Sequence, residues 1–235
     1  MYNDQQPDQE TLPEWENIRA KRQSTIYAHA KGVSFFDRGS GRTFNYTQLP
    51  KIANQLYYIR PYIYSSGLPI SMAAEISTLA KLISGEYKKG APYSNVEEMI
   101  TKGGTKFISI AKNAEFNADI YDGIVAPTLK TNLLTETWIK GYDITVNCSS
   151  IYPVVDVEYI KVGVSGQFRY TKDHSKLAIS GDPTQPYICI GDINRMTSQY
   201  TRGGGTNCIN NPEIWNTYFN MIQGTDPSDV CPVNN

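Results

Sequence analysis

The chain has 235 residues, with 22 Lys+Arg against 23 Asp+Glu for a net charge of -1, and is 40% hydrophobic and 19% charged. That balance excludes disorder, collagen and coiled coil, and argues against a strongly basic nucleic-acid binder working at neutral pH. No apolar run approaches the roughly 18–20 residues of a membrane helix, so no membrane span is expected.

Residues 3–18 are polar and acidic and read as a loop or surface segment, with no charged-then-apolar leader after Met1. A strand is predicted over 26–36, turning at Gly39-Ser40-Gly41 into a return strand through Phe44 and Tyr46. Residues 55–64 alternate aromatic and polar side chains, and Pro61 marks an edge or a break. Met72, Ile76, Leu79 and Ile83 recur at helical spacing, with Gly85 as the stop. Residues 106–112 alternate as a strand, 119–125 read as a short helix, and 133–139 as another strand. The β-branched run 154–164 predicts a strand, followed by short strands at 176–179 and 187–190. Gly203-Gly204-Gly205 reads as a flexible turn. Asn211-Pro212 opens a helix carrying Ile214, Trp215, Tyr218 and Phe219. Strands alternating with helices predict an α/β chain built of α+β mixed layers.

The only two histidines stand in His29-Ala30-Lys31 and His174-Ser175-Lys176. On a strand, residues i and i+2 share a face, so each imidazole is expected beside an ammonium. Two such pairs suit phosphodiester cleavage through an enzyme intermediate. One His attacks phosphorus, the other protonates the leaving oxygen, and the lysines hold the non-bridging oxygens. The bland alternative is two surface histidines near lysines on solvated strands. Asp173 is placed to orient the His174 ring. Asn194 is placed to donate its amide to a phosphate, the alternative being an ordinary turn asparagine. Arg202, before three glycines, offers a guanidinium and open backbone amides, the alternative being a tight glycine turn. Near pH 5, charged histidines and partly neutralised carboxylates bring the net charge to about +4, which suits an anionic substrate.

Cys148, Cys189, Cys208 and Cys231 contain no Cys-x-x-Cys pair, and the histidines are not at zinc-site intervals. A metal site is therefore not expected, and two disulfides in an oxidising compartment are. Asn45-Tyr46-Thr47 and Asn147-Cys148-Ser149 are glycosylation acceptor patterns, in keeping with secretion.

Three blocks carry a resemblance: Asp173-His174-Ser175-Lys176, then Cys189-Ile190-Gly191-Asp192-Ile193-Asn194-Arg195, then Arg202-Gly203-Gly204-Gly205-Thr206-x-Cys208. Together they are similar to the C-terminal signature of the deoxyribonuclease II family. Tyr2-Asn3-Asp4-Gln5 and His29-Ala30-Lys31-Gly32-Val33 with Asp37 resemble its first catalytic half. Ala111-Lys112, Tyr121-Asp122-Gly123, Asn132-Leu133 and Trp138 resemble its middle. The resemblance implies a phospholipase D-like pseudodimer in which two α/β halves each give one His-x-Lys to a shared site. The first half-site falls at about 20–65 and the second at about 150–225, within one domain over 1–235. It implies acid, metal-independent endonucleolytic cleavage of DNA leaving 3′-phosphates, without a cofactor, in lysosomes or secretions. Carried over, His29, Lys31, His174, Lys176 and Asn194 are catalytic; the resemblance leaves open which histidine is the nucleophile, and the surroundings of His174 match the family better. Arg202 and Asp173 stand at the substrate, and Cys148 pairs with Cys231 and Cys189 with Cys208. The chain departs from the family by beginning partway into its pattern, by lacking a stretch between Pro50 and Lys51, by Thr47 in place of a His, and by Leu177-Ala178 in place of an aromatic-Cys pair. A truncated chain with these departures also fits a catalytically silent secreted protein that binds nucleic acid or a host partner.

Overall fold

The computed structural model describes residues 2–3, 44–141, 144–164 and 166–231. The segment 4–18, the strand predicted at 26–36 and the turn at 39–41 lie outside the described residues, as do His29 and Lys31. Tyr2–Asn3 (β1) pairs antiparallel with Tyr62–Ile63 (β2). The return strand expected through Phe44 and Tyr46 does not form. Phe44 makes one isolated bridge to Thr101, and Tyr46–Gln48 is a 3₁₀ turn. It leads into α1 (Leu49–Ile59), where the sequence suggested alternation. Leu49 and Ala53 recur at i, i+4 and are buried, and Pro50 in the first turn loses no hydrogen bond there. The chain then breaks at Arg60-Pro61, as Pro61 indicated.

The helix expected across Met72 to Ile83 is two, α2 (Ile70–Glu75) and α3 (Ser77–Ile83), because Ile76 adopts φ -123, ψ 77. Met72, Ile76, Leu79 and Leu82 still bury one face, against Leu49 and Ala53 of α1. Two strands follow, β3 (Ser94–Ile100), which the sequence reading missed, and β4 (Lys106–Lys112). Next come a π-helical turn (Tyr121–Val125), α4 (Ala126–Leu129), β5 (Leu133–Thr137), β6 (Val154–Val162) and β7 (Gly166–Arg169). The chain continues through β8 (Lys176–Ser180), β9 (Tyr187–Gly191), β10 (Gly204–Asn210), α5 (Pro212–Phe219) and β11 (Ile222–Thr225). Asn211 caps α5 by accepting from the Ile214 N–H at 3.0 Å.

Among the described residues, nine of these strands make one sheet in the order β11-β6-β5-β8-β9-β10-β4-β3, with β7 paired to β6. Every pairing is antiparallel except β5 with β6, giving a mixed α/β chain with a mostly antiparallel sheet. One face of the sheet packs Ile110, Leu133, Val154, Ala178, Cys189 and Cys208 against Tyr121, Ile124 and Val125. On the other, Trp215 of α5 covers Ile179 and Ile188 and donates its indole N–H to the Ser180 carbonyl at 2.9 Å. Each such aliphatic side chain removed from water contributes roughly 1.5–3 kcal/mol. Cys189 and Cys208 face each other across β9 and β10 and are bridged, and Cys148 is bridged to Cys231. Both pairings implied by the resemblance are therefore formed.

Gly203-Gly204-Gly205 is not a flexible turn. Gly204 and Gly205 begin β10, and none of the three has a positive φ. Their reason is close approach: a Cβ on Gly203 would fall onto the Ile59 carbonyl of α1, and one on Gly205 would sit 2.6 Å from the Ile110 carbonyl.

Candidate active site

The strand register brings one set of ends together. Lys112, the last residue of β4, lies opposite Gly204, the first of β10. Thr206 lies opposite Gly191 at the end of β9, and Lys176, opening β8, lies opposite Thr137 at the end of β5. His174, Lys176, Asp192, Asn194 and Arg202 are all on or next to these ends. Antiparallel neighbours alternate direction, so sequence positions far apart meet along one edge.

His174 stands in the loop before β8 rather than on the strand, so the expected shared strand face with Lys176 is replaced by a direct contact. The Lys176 ammonium donates to the His174 carbonyl at 2.6 Å. The exposed imidazole stacks on Trp138, ring centroids 4.7 Å apart and planes at 23°. Asp173 does not turn its carboxylate to the ring. Its two oxygens accept the Ser175 N–H at 2.9 Å and the Ser175 hydroxyl at 2.7 Å, which fixes the loop that carries His174. Asn194 is buried, and its amide oxygen has no hydrogen-bond partner among the described residues. That orphan is an acceptor, left unpaired at a cost of about 1–3 kcal/mol, and a phosphate oxygen, itself an acceptor, does not satisfy it.

Arg202 is half-buried at the start of the glycine run, and its carbonyl receives the Lys112 ammonium at 2.6 Å. Lys112 also donates to the carbonyls of Gln199 at 3.1 Å and Tyr200 at 2.8 Å, so one lysine clamps the whole 199–202 loop. Burial lowers the Lys112 pKa to about 8, partly offset by Asp119 and Asp192. The Gly205 N–H donates to Asp192 at 2.7 Å. Burial pushes the Asp192 carboxyl up to about 6 against the pull of that N–H, Lys112, Arg202 and Lys176. Asp192 is thus a negative hub for the cations at this end of the sheet.

Two residues passed over in the sequence are prominent here. Glu136 is 1% exposed, and neither carboxylate oxygen has a hydrogen-bond partner among the described residues. Burial, with Asp173 and Asp156 nearby, raises its pKa to about 8, so it is mostly a neutral acid at pH 7. Arg195 is fully buried, bonded to Asp156 at 2.6 Å and Asp122 at 3.0 Å, with Asp229 at 3.9 Å and Asp119 at 4.0 Å. Burial opposes its charge, but the Asp156, Asp122 and Asp119 carboxylates outweigh that and push its pKa further up. Arg195 joins β6, the π-helical turn and the C-terminal segment directly behind Asn194. Arg195 carried a sequence signal only as the last residue of the Cys189–Arg195 block, and Glu136, between Thr135 and Thr137, carried none.

Asn45 and Asn147, the asparagines of the two acceptor-pattern triplets, are both exposed.

A family profile described as Deoxyribonuclease II matches residues 42–228, a stretch that includes the second His-x-Lys pair, Asn194 and Arg202. The chain is 46% identical over 226 residues to Deoxyribonuclease-2 of Caenorhabditis elegans, covering 83% of this chain and 60% of that protein's length. It is 29% identical to Deoxyribonuclease-2-alpha of Sus scrofa, over 97% of this chain and 70% of the relative. It is 28% identical to Plancitoxin-1 of Acanthaster planci, again over 97% and 70%.

Proposed function

Because the chain belongs to the deoxyribonuclease II family, we propose that it hydrolyses DNA phosphodiester bonds at acid pH, without metal or cofactor, and leaves 3′-phosphates. The observation that carries this reading is the convergence of His174, Lys176, Asn194 and Arg202 on one end of the sheet. The imidazole of His174 attacks phosphorus, forming an N–P bond as the bond to the 5′ oxygen breaks. His29 protonates that oxygen as it leaves. Water then attacks the phosphohistidine, giving its proton to His29 and its oxygen to phosphorus, and the 3′-phosphate departs as the N–P bond breaks. Lys176, Lys31 and the Asn194 amide N–H hold the non-bridging oxygens as charge develops. Asp173 shapes the His174 loop through Ser175, and Arg202 meets the phosphate backbone.

In this reading 1–235 is one domain, a pseudodimer with half-sites at about 20–65 and 150–225. Two disulfides and exposed glycosylation acceptors at Asn45 and Asn147 fit a secreted or lysosomal setting. The test is plasmid nicking at pH 5 with chelator present, wild type against His174→Ala and His29→Ala. Nicking by the wild type, lost in both variants, with 3′-phosphate ends, is the expected result. An absolute need for Mg²⁺ would overturn the mechanism, because metal would then hold the phosphate. DNA binding without any nicking would leave the silent binder.

A further inference from the structure

At the end of the sheet that carries His174, one hairpin projects past its neighbours. We propose that the β6–β7 hairpin is a DNA-binding arm that enters the major groove of a duplex whose scissile phosphate lies at His174. The proposal rests on the nuclease reading of that centre and adds the form of DNA bound, duplex in preference to single strand.

The first support is position. β5 and β6 run parallel with Thr135 level with Asp156, so Thr137 at the end of β5 is level with residue 158. β6 continues to Val162, four residues or about 13 Å further. Tyr159 and Ile160 pair with β11 on one edge and with β7 on the other. β7 therefore takes the edge that β5 gives up after Thr137, and it returns straight into the His174 loop. The Trp138 indole N–H, donating to the Thr171 carbonyl at 3.2 Å, ties the root of the hairpin to the ring stacked on His174.

The second is construction. Gly163 takes φ 66, and a Cβ on Gly166 would fall 2.9 Å from the Val162 carbonyl, so glycine suits both sides of the reversal. Lys161, Val162, Gly163, Val164 and Gln167 are all exposed, Val162 by 49% and Val164 by 96%. Valines left in water contribute little to the fold. A two-stranded ribbon is what the major groove admits, and apolar side chains there meet thymine methyl groups.

The third is charge. Residues 158–173 hold three cations, Lys161, Arg169 and Lys172, against two acids, Glu158 and Asp173. Glu158 pairs with Arg169 at 3.1 Å, and Asp173 accepts from Ser175 at 2.9 and 2.7 Å. Glu136, close to Asp173, is neutral at pH 5. Lys161 and Lys172 are exposed, and neither ammonium has a hydrogen bond or ion pair among the described residues. Both are thus left for phosphates along a groove.

The experiment is equilibrium binding at pH 5, across a salt series, of a fluorescein-labelled random-sequence duplex and of its single strand. Wild type is compared with Lys161→Gln, Val164→Asp and Ile151→Asp. All three positions are exposed, so the variants should fold, and thermal melts check this. Ile151, shortly before β6 and at the opposite end of the sheet, controls for net charge. Lys161→Gln and Val164→Asp should each bind duplex several-fold more weakly, Lys161→Gln with a salt slope shallower by about one phosphate contact. Single-strand binding, and turnover of bis(p-nitrophenyl) phosphate, a diester too small to reach the arm, should stay close to wild type. Ile151→Asp should match wild type throughout. Unchanged duplex binding in Lys161→Gln, a Val164→Asp no weaker than Ile151→Asp, or equal losses on duplex and single strand would overturn the arm alone. A wild type that bound no DNA and turned over no diester would overturn the nuclease reading with it.

Discussion

Trp138 holds His174 from two directions at once. Its ring stacks on the imidazole, and its indole N–H donates to the Thr171 carbonyl at 3.2 Å, at the root of the same loop. The imidazole is therefore oriented by an aromatic plane rather than by Asp173. Trp138→Ala should lower kcat by about 10²-fold, the effect of letting a reacting group drift by roughly 1 Å, with little change in KM. Trp138→Phe keeps the plane and should recover most of the loss. Steady-state kinetics on a plasmid substrate would settle it, and equal losses in both variants would remove the stacking argument.

Glu136→Gln should separate stability from activity. The raised pKa of Glu136, caused first by burial, means its stabilising contribution is complete below the ordinary Glu range and is lost as pH rises through about 8. The amide cannot ionise, so the variant should match wild type near pH 4 and exceed it at pH 8, on the order of a few kcal/mol. Nicking should nonetheless fall, since an unpaired acid at the site is lost. Urea melts at both pH values measure the first effect.

The carboxylates around Arg195 predict an acid-favouring fold. Burial raises Asp119 to about 7 and Asp156 to about 6, and Asp192 likewise to about 6. All three lose stabilisation as pH rises through these values, so the melting temperature should fall between pH 5 and pH 8. Lys112, charged in both folded and unfolded chains at pH 5 to 7, adds slope only as pH nears 8, where it partly offsets the fall. Arg195→Leu leaves buried carboxylates without a counter-charge, at about 3–5 kcal/mol. That loss should be smaller at pH 5 than at pH 8, and a pH-independent loss would argue against the raised carboxylate pKa values.

Reduction should proceed in order. Cys148 is exposed, whereas Cys189 and Cys208 are fully buried between β9 and β10. A dithiothreitol titration with alkylation and peptide mapping should free Cys148 and Cys231 first. Losing the Cys189–Cys208 bridge, a loop of 19 residues, should then remove about 3 kcal/mol.

The strand Lys106–Lys112 was legible from its residue types, although Ser109 to Lys112 are all buried and both of its faces are covered there. α1 was not, because Tyr57, Tyr58 and Gln55 obscure its period and Pro50 resembles a stop when it is a start. The glycine run was misread for a different reason. Close packing by α1 is a tertiary demand, and it looks the same in sequence as a turn. At the site, His174, Lys176 and Asn194 could be singled out by residue type and family pattern. Glu136 and Trp138 could not, since their importance lies in what surrounds them. Arg195 was visible only as part of a motif, and its four carboxylates come from segments scattered between 119 and 229.

The Cys148–Cys231 bridge also governs how the protein responds to a cut. Val164, 96% exposed at the tip between β6 and β7, is the natural place for a protease to enter. Cleavage there divides the chain between the two bridged cysteines, so the fragments stay covalently joined. The sheet pairings of β8, β9 and β10 would lie on one piece and their neighbours β4 and β5 on the other, held in register. Nicked protein would migrate as one species on a denaturing gel until a reductant was added, and its two pieces would not drift apart after the cut.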